Sequence, residues 1–131
     1  MSIRSTRTFS DINLLFTKSG ATADITKKLD EEAVKASLRN LISTKNFERP
    51  FHPEIGCQIY GLLFENVTPI IYQTMRKTIF DAIEKFEPRV KVLEVNVAET
   101  PDNNSIELSI IFRIINSERP TTLKTIIQRV R

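Results

Sequence analysis

Among the 131 residues, the side chains best able to do chemistry crowd into one stretch, "NFERPFHPEIGC". His52, Glu54 and Cys57 fall within six residues there, and each can ligate a metal. A structural zinc site takes four ligands at spacings this loop lacks. Cys57 and His52 would make a nucleophile and its base, but no third group nearby announces itself to orient the histidine. Glu48, Glu54 and Glu65 could supply the two carboxylates of a glycosidase. Yet with 16 acidic residues such pairs arise freely, and no tryptophan is present to stack on a sugar. With only three glycines, Gly20, Gly56 and Gly61, the chain has no phosphate-cradling loop. These residues imply no catalytic site, no metal and no cofactor.

The second chemical signal is the triplet Glu87, Pro88, Arg89 inside "KFEPRVKVLEVNV". Proline disfavours helical backbone at the residue before it, so a helix ends at Glu87. Opposite charges then flank a rigid corner. One reading is a helix stop with solvated charges, which contribute little. The other is a docking corner from which Glu87 and Arg89 project to paired partners on another chain. Charge-assisted, bidentate bonds there would set orientation.

The elements around the corner follow from periodicity. Asp30 is expected to cap a helix, with Glu31 and Glu32 in the first turn, where the helix dipole favours them. Val34, Leu38, Leu41 and Ile42 form its apolar face, and the helix should fade near residues 44–46. In the loop that follows, Phe47, Phe51 and Ile55, with Phe64 beyond it, are expected to pack down and pin the stretch. Phe51→Ala should then cost about 3–5 kcal/mol. "QIYGLLFEN" reads as a short helix. Thr68 and Pro69 open a second long helix. Its apolar stripe is Ile71, Met75, Ile79, Ala82, Ile83 and Phe86.

Beyond the corner, residues 90–97 are rich in β-branched side chains, and their parity shifts between Val92 and Leu93, as a bulge would cause. "TPDNN" is a turn. Ile106, Leu108, Ile110, Phe112 and Ile114 alternate through the clearest strand. "NSERP" is the next turn, and residues 122–130 read as a third strand. The fold class is α+β: a single domain with helices on a small three-stranded antiparallel sheet, in meander order. Residues 1–26 read as an extended N-terminal arm, with "INLLF" as a short strand, and residues 27–131 as the domain. Ile111 and Ile115 make the sheet's second face apolar, and the segment at residues 12–16 could cover it.

Composition narrows the class. The hydrophobic fraction is 40% and the charged fraction 27%, with 19 basic and 16 acidic residues for a net charge of +3. The signs are interspersed, and no basic run suggests a nucleic-acid arm. The single cysteine, Cys57, cannot form an intrachain disulfide, which agrees with synthesis in a reducing cytoplasm. No signal peptide and no membrane-length apolar run is read.

Three stretches, "SDINLLFT", "RPFHPEIGCQIYGLLFE" and "FEPRVKVLEVNV", together resemble the gene-25-type baseplate wedge proteins of contractile-tailed phages. The same family includes the sheath-proximal baseplate subunit of type VI secretion systems. The resemblance spans nearly the whole chain. It implies a structural role in the virion's tail baseplate, around the tail tube, with no membrane or nucleic-acid partner. Glu87, Pro88 and Arg89 would contact the helical core bundle of the larger wedge subunits. The sheet would add strands from the first ring of tail sheath subunits and so initiate sheath assembly, with the tail tube a further neighbour. On this view Arg89→Ala leaves the isolated domain folded and weakens wedge assembly. The readings set against it are a nucleic-acid-binding module and a carboxylate-pair glycosidase of lysozyme type.

Overall fold

A computed structural model of the chain describes residues 9–13, 15–18, 20, 27–66, 68–100, 105–115 and 117–129. In chain order the elements are β1 (Ser10–Ile12), β2 (Lys27–Leu29), α1 (Asp30–Ser43), α2 (Ile59–Leu62), α3 (Pro69–Phe86), β3 (Val90–Glu99), β4 (Ser105–Ile114) and β5 (Pro120–Gln128). The long helix begins where its punctuation places it. Thr68 is extended and its hydroxyl accepts the Ile71 N–H at 3.4 Å, while Pro69 takes the first helical position. Proline has no N–H to leave unpaired there. Met75, Ile79, Ala82 and Ile83 are buried along one side of α3, with Ile71 and Phe86 packed at the margin of the core.

Strands β3, β4 and β5 form an antiparallel meander in that order. The pairing of β3 with β4 shifts between Val92 and Glu94, leaving Leu93 as the extra residue of a bulge. That bulge explains the shifted parity. It returns Val95 and Val97 to the face that Val90 and Val92 occupy, and leaves Leu93 half-exposed. Every second residue of β4 from Ile106 to Ile114 is buried, and Leu123 and Ile127 extend the same face onto β5. Helices α1 and α3 supply the other side of the core through Val34, Leu38, Met75 and Ile83.

Several expectations change. The second face of the sheet is not generally apolar. Lys91, Glu94, Glu107, Arg113 and Lys124 share it with a half-buried Ile111, and Ile115 lies beyond the end of β4. The arm forms its strand at Ser10–Ile12 and pairs with β2, in a sheet separate from the meander. Ile12, Leu15 and Phe16 are exposed, so they do not cover the meander. Asp30 has φ +46°, and its carboxylate accepts the Phe9 N–H at 2.9 Å while its own N–H reaches Phe9 O at 2.7 Å. The expected cap thus fastens the arm to the start of α1. The tip of "TPDNN", residues 101–104, lies outside the described residues, as do Asn116 of "NSERP" and the end of the last expected strand.

The largest departure is in the loop. Phe47, Phe51 and Phe64 are 81%, 95% and 67% exposed, so they do not pin it. Its anchors are Ile55, Cys57 and Gly56. Cys57 is buried and its N–H reaches Thr44 O at 2.9 Å. Gly56 has φ +155°, and a Cβ there would lie 2.8 Å from the Lys45 carbonyl carbon and from Asn46 Oδ1. Glycine alone accommodates both demands. Denaturation should show the contrast. Phe112→Ala, at a fully buried ring, is expected to lower stability by about 3–5 kcal/mol. Phe51→Ala is expected to stay within about 0.5 kcal/mol of the parent.

Candidate docking site at the Glu-Pro-Arg corner

Helix α3 stops because Pro88 cannot follow a helical residue without a clash. Glu87 caps the helix, donating its N–H to Ile83 O at 2.8 Å. Its own carbonyl accepts the Val90 N–H at 3.2 Å, which closes a turn with Pro88 in the second position. Proline's fixed φ suits that position. The Arg89 carbonyl then accepts the Ile115 N–H at 3.0 Å, so the corner is also stitched to the far end of β4.

The two charges meet across the proline. Arg89 donates from Nε to Glu87 Oε1 at 2.6 Å and from Nη2 to Oε2 at 2.8 Å. Ser37, on α1, donates its hydroxyl to the same Oε2 at 2.5 Å. Glu87 is only 4% exposed, and no other charged residue among those described is buried. Arg89 remains partly exposed, and its guanidinium lies 5.5 Å from the Phe9 ring centroid. The expected outward projection therefore holds for neither charge in its simple form. Glu87 points inward and fastens Arg89. A guanidinium carries five N–H donors, of which the carboxylate uses two.

Burial alone would raise the Glu87 pKa, but hydrogen bonds from Arg89 and Ser37 and the guanidinium charge outweigh it. The net effect is a pKa below the ordinary 4.5. Arg89 is raised in turn, chiefly by its hydrogen bonds to Glu87. A hollow of about 350 Å³ opens beside the pair, bordered by Asp11, Ser37, Asn40, Arg49, Phe86 and Glu87. Arg49 brings the loop to this edge of the corner, a neighbour that sequence spacing did not announce.

The other candidate residues are not brought together in this way. Cys57 turns into the core, its thiol 4.0 Å from Thr78 O, and burial pushes its pKa up to about 11. His52 Nδ1 lies 3.2 Å from Glu54 Oε1 at the surface. Glu48 accepts the Lys45 N–H at 2.9 Å, and Glu65 borders a separate cleft against α3.

Residues 28–119 match the family model described as baseplate wedge protein gp25. The chain is 36% identical over 94 residues to the baseplate wedge protein gp25 of Enterobacteria phage T4, covering 72% of this chain and 71% of that protein. The fold is shared with a Geobacter sulfurreducens protein provisionally named a tail lysozyme, at TM-score 0.72 and 20% identity over 77% of this chain and 92% of that one. It is shared too with a chain of the anti-feeding prophage baseplate, at TM-score 0.65 and 20% identity over 95% and 88%. A chain of the type VI secretion system baseplate complex gives TM-score 0.63 and 17% identity over 76% and 93%. The fold is one that these three chains share. This chain belongs to the baseplate wedge protein gp25 family. It is a structural component of a contractile-tail baseplate rather than an enzyme. No helix among the described residues is long and apolar enough to cross a membrane.

The corner makes a pH prediction. Glu87 titrates near 4.5 when unfolded and lower when folded. Its ionised form therefore stabilises the fold above that range, and the contribution is lost as pH falls through the folded value. Unfolding free energy should drop from about pH 5 to about pH 3, and Glu87→Gln should flatten that dependence. At neutral pH Arg89→Ala would strand a buried carboxylate. It is expected to cost the free chain about 3 kcal/mol, not to spare its fold. Urea titrations across pH would check both.

Proposed function

We propose that the chain docks on the helical core bundle of the baseplate wedge through Pro88 and Arg89, with Glu87 as the clamp that orients the guanidinium. The observation that supports this is the buried carboxylate holding a partly exposed arginine on a proline turn. An arginine fixed in this way loses little rotamer freedom on binding, and its remaining N–H groups suit carbonyl or carboxylate oxygens of a partner. In this reading residues 1–26 are an arm and residues 27–131 the docking domain.

The same reading gives the meander a second role, the seeding of the first sheath ring by strand addition. Among the described residues the three-stranded sheet has two edge strands, and they differ. The β3 edge is broken by the Leu93 bulge, a device that discourages pairing. Strand β5 pairs with β4 from Pro120 to Gln128 without a register shift, so its outer edge runs straight. Main-chain bonds to such an edge give affinity, and alternate side chains give selectivity. The β5 edge is therefore the one we assign to a sheath strand.

Two experiments separate these roles. The double variant E87Q/R89Q removes both charges and keeps groups that can hydrogen-bond across Pro88. It should fold and yet enter the wedge poorly when co-expressed with the other wedge subunits. Normal entry would overturn the docking role. A proline at a β5 position whose N–H points away from β4 should allow entry and block sheath growth on assembled baseplates. Normal sheath growth there would overturn strand addition at β5.

A further inference from the structure

Arg89 is held on a second side that the corner alone does not supply. Its guanidinium carbon lies 5.5 Å from the centre of the Phe9 ring, within the range at which a cation is attracted to an aromatic face. Phe9 comes from the opposite end of the chain, just before β1. It is half-buried and packs at the margin of the core. Asp11, on β1, borders the hollow beside Glu87. The Arg89 pKa is raised chiefly by hydrogen bonds to Glu87, and the Asp11 charge adds to that effect. The arm thus brings both a ring and an acid to the corner.

The arm is fastened where it does so. The Phe9 N–H donates to the Asp30 carboxylate at 2.9 Å, and the Asp30 N–H donates back to Phe9 O at 2.7 Å. Asp30 takes φ +46° to make both bonds, a backbone that aspartate tolerates better than most residues. Ser10, Asp11 and Ile12 then pair with Leu29, Lys28 and Lys27. Ile12, Leu15 and Phe16 are exposed, so among the arm's described apolar residues Phe9 is the one that packs on the core. The bonds between Phe9 and Asp30 therefore set where that ring lies.

The ring constrains what the carboxylate leaves loose. Two hydrogen bonds along one edge define the plane of a guanidinium, but they resist rocking out of that plane only weakly, because hydrogen-bond angles are tolerant. A ring against its face opposes that rocking. The N–H groups not used by Glu87, on Nη1 and the outer side of Nη2, then keep a fixed direction.

We propose that the N-terminal arm is a working part of the docking site, with Phe9 as the positioning residue whose ring closes one face of the Arg89 guanidinium and aims its outer edge at an acceptor on the wedge. On the Glu-Pro-Arg reading of the site, on which this rests, the arm is the segment that completes the aim. A residue that only packs would contribute to stability alone. A positioning residue changes binding, and does so through Arg89.

The full chain is titrated against the wedge complex purified from the particle's own genes without this chain. F9L keeps an apolar side chain, removes the aromatic face and should bind about 3- to 10-fold more weakly. F9Y keeps the ring and should bind like the parent. Both changes are then made in E87Q/R89Q, where the guanidinium is gone and F9L should cause no further loss. An equal loss from F9L in both backgrounds, normal binding by F9L in the parent, or a loss from F9Y as large as that from F9L overturns the proposal and leaves the corner reading intact. Normal binding by E87Q/R89Q itself overturns the corner reading, and this proposal with it. Should F9L unfold too readily to titrate, Asp30→Gly takes its place. Glycine adopts φ +46° freely and lacks the carboxylate that holds Phe9. It should weaken binding in the parent and not in E87Q/R89Q, and any other pattern overturns the proposal.

Discussion

A carboxylate placed in an apolar interior must be neutralised, protonated or paired, and everything at the corner follows from how Glu87 is paired. Arg89 meets it side-on with two N–H groups and Ser37 adds a third donor. Those three residues sit at the end of α3, at the start of β3 and in the middle of α1. One buried charge therefore links both long helices to the start of the sheet. A hydrophobic group could fill the same space, and buried ion pairs often stabilise less than their apolar replacements would. What the pair adds is direction, because bidentate geometry defines the plane in which the guanidinium lies.

That constraint divides the molecule into a rigid half and a presenting half. Behind the corner, α1 and α3 cover the inner face of the meander with buried Leu38, Met75, Ile83 and Phe112. In front of it lie an exposed Pro88, a partly exposed Arg89 and the loop with Phe47 and Phe51. A subunit of a baseplate has to hold its place among neighbours under load. A surface whose exposed groups are positioned by buried bonds, rather than by flexible side chains, suits that task. The open face of the meander, with its interleaved Lys91, Glu94, Arg113 and Lys124, does not resemble a one-signed nucleic-acid surface.

Much of the scaffold was legible in the sequence because its signals are local. Thr68 and Pro69 start α3 and Pro88 ends it. The isoleucine alternation from 106 to 114 marks β4. Even the Leu93 bulge left a trace, as a change of parity in residues 90–97. The corner's position was legible too, but not its internal state. Ser37 lies 50 residues before Glu87, and only tertiary packing brings them together. Loop aromatics misled for a related reason. Apolar residue type predicts burial on average, but Phe47 and Phe51 stand exposed on left-handed backbone, Phe47 with its N–H held by Pro53 O. Asp30 carried a capping signal, and its carboxylate was taken by Phe9 instead.

The central claim is that one ion pair both completes the fold and aims the docking arginine. A double-mutant cycle on Glu87 and Arg89 tests it most directly when measured twice, once on unfolding of the free chain and once on its association with the wedge. The account predicts a coupling of about 1 kcal/mol or more in both measurements, since a shared pair is non-additive wherever it acts. Additive effects on unfolding would contradict the clamp. Coupling on unfolding with additive, near-zero effects on association would make the corner a structural joint and nothing more.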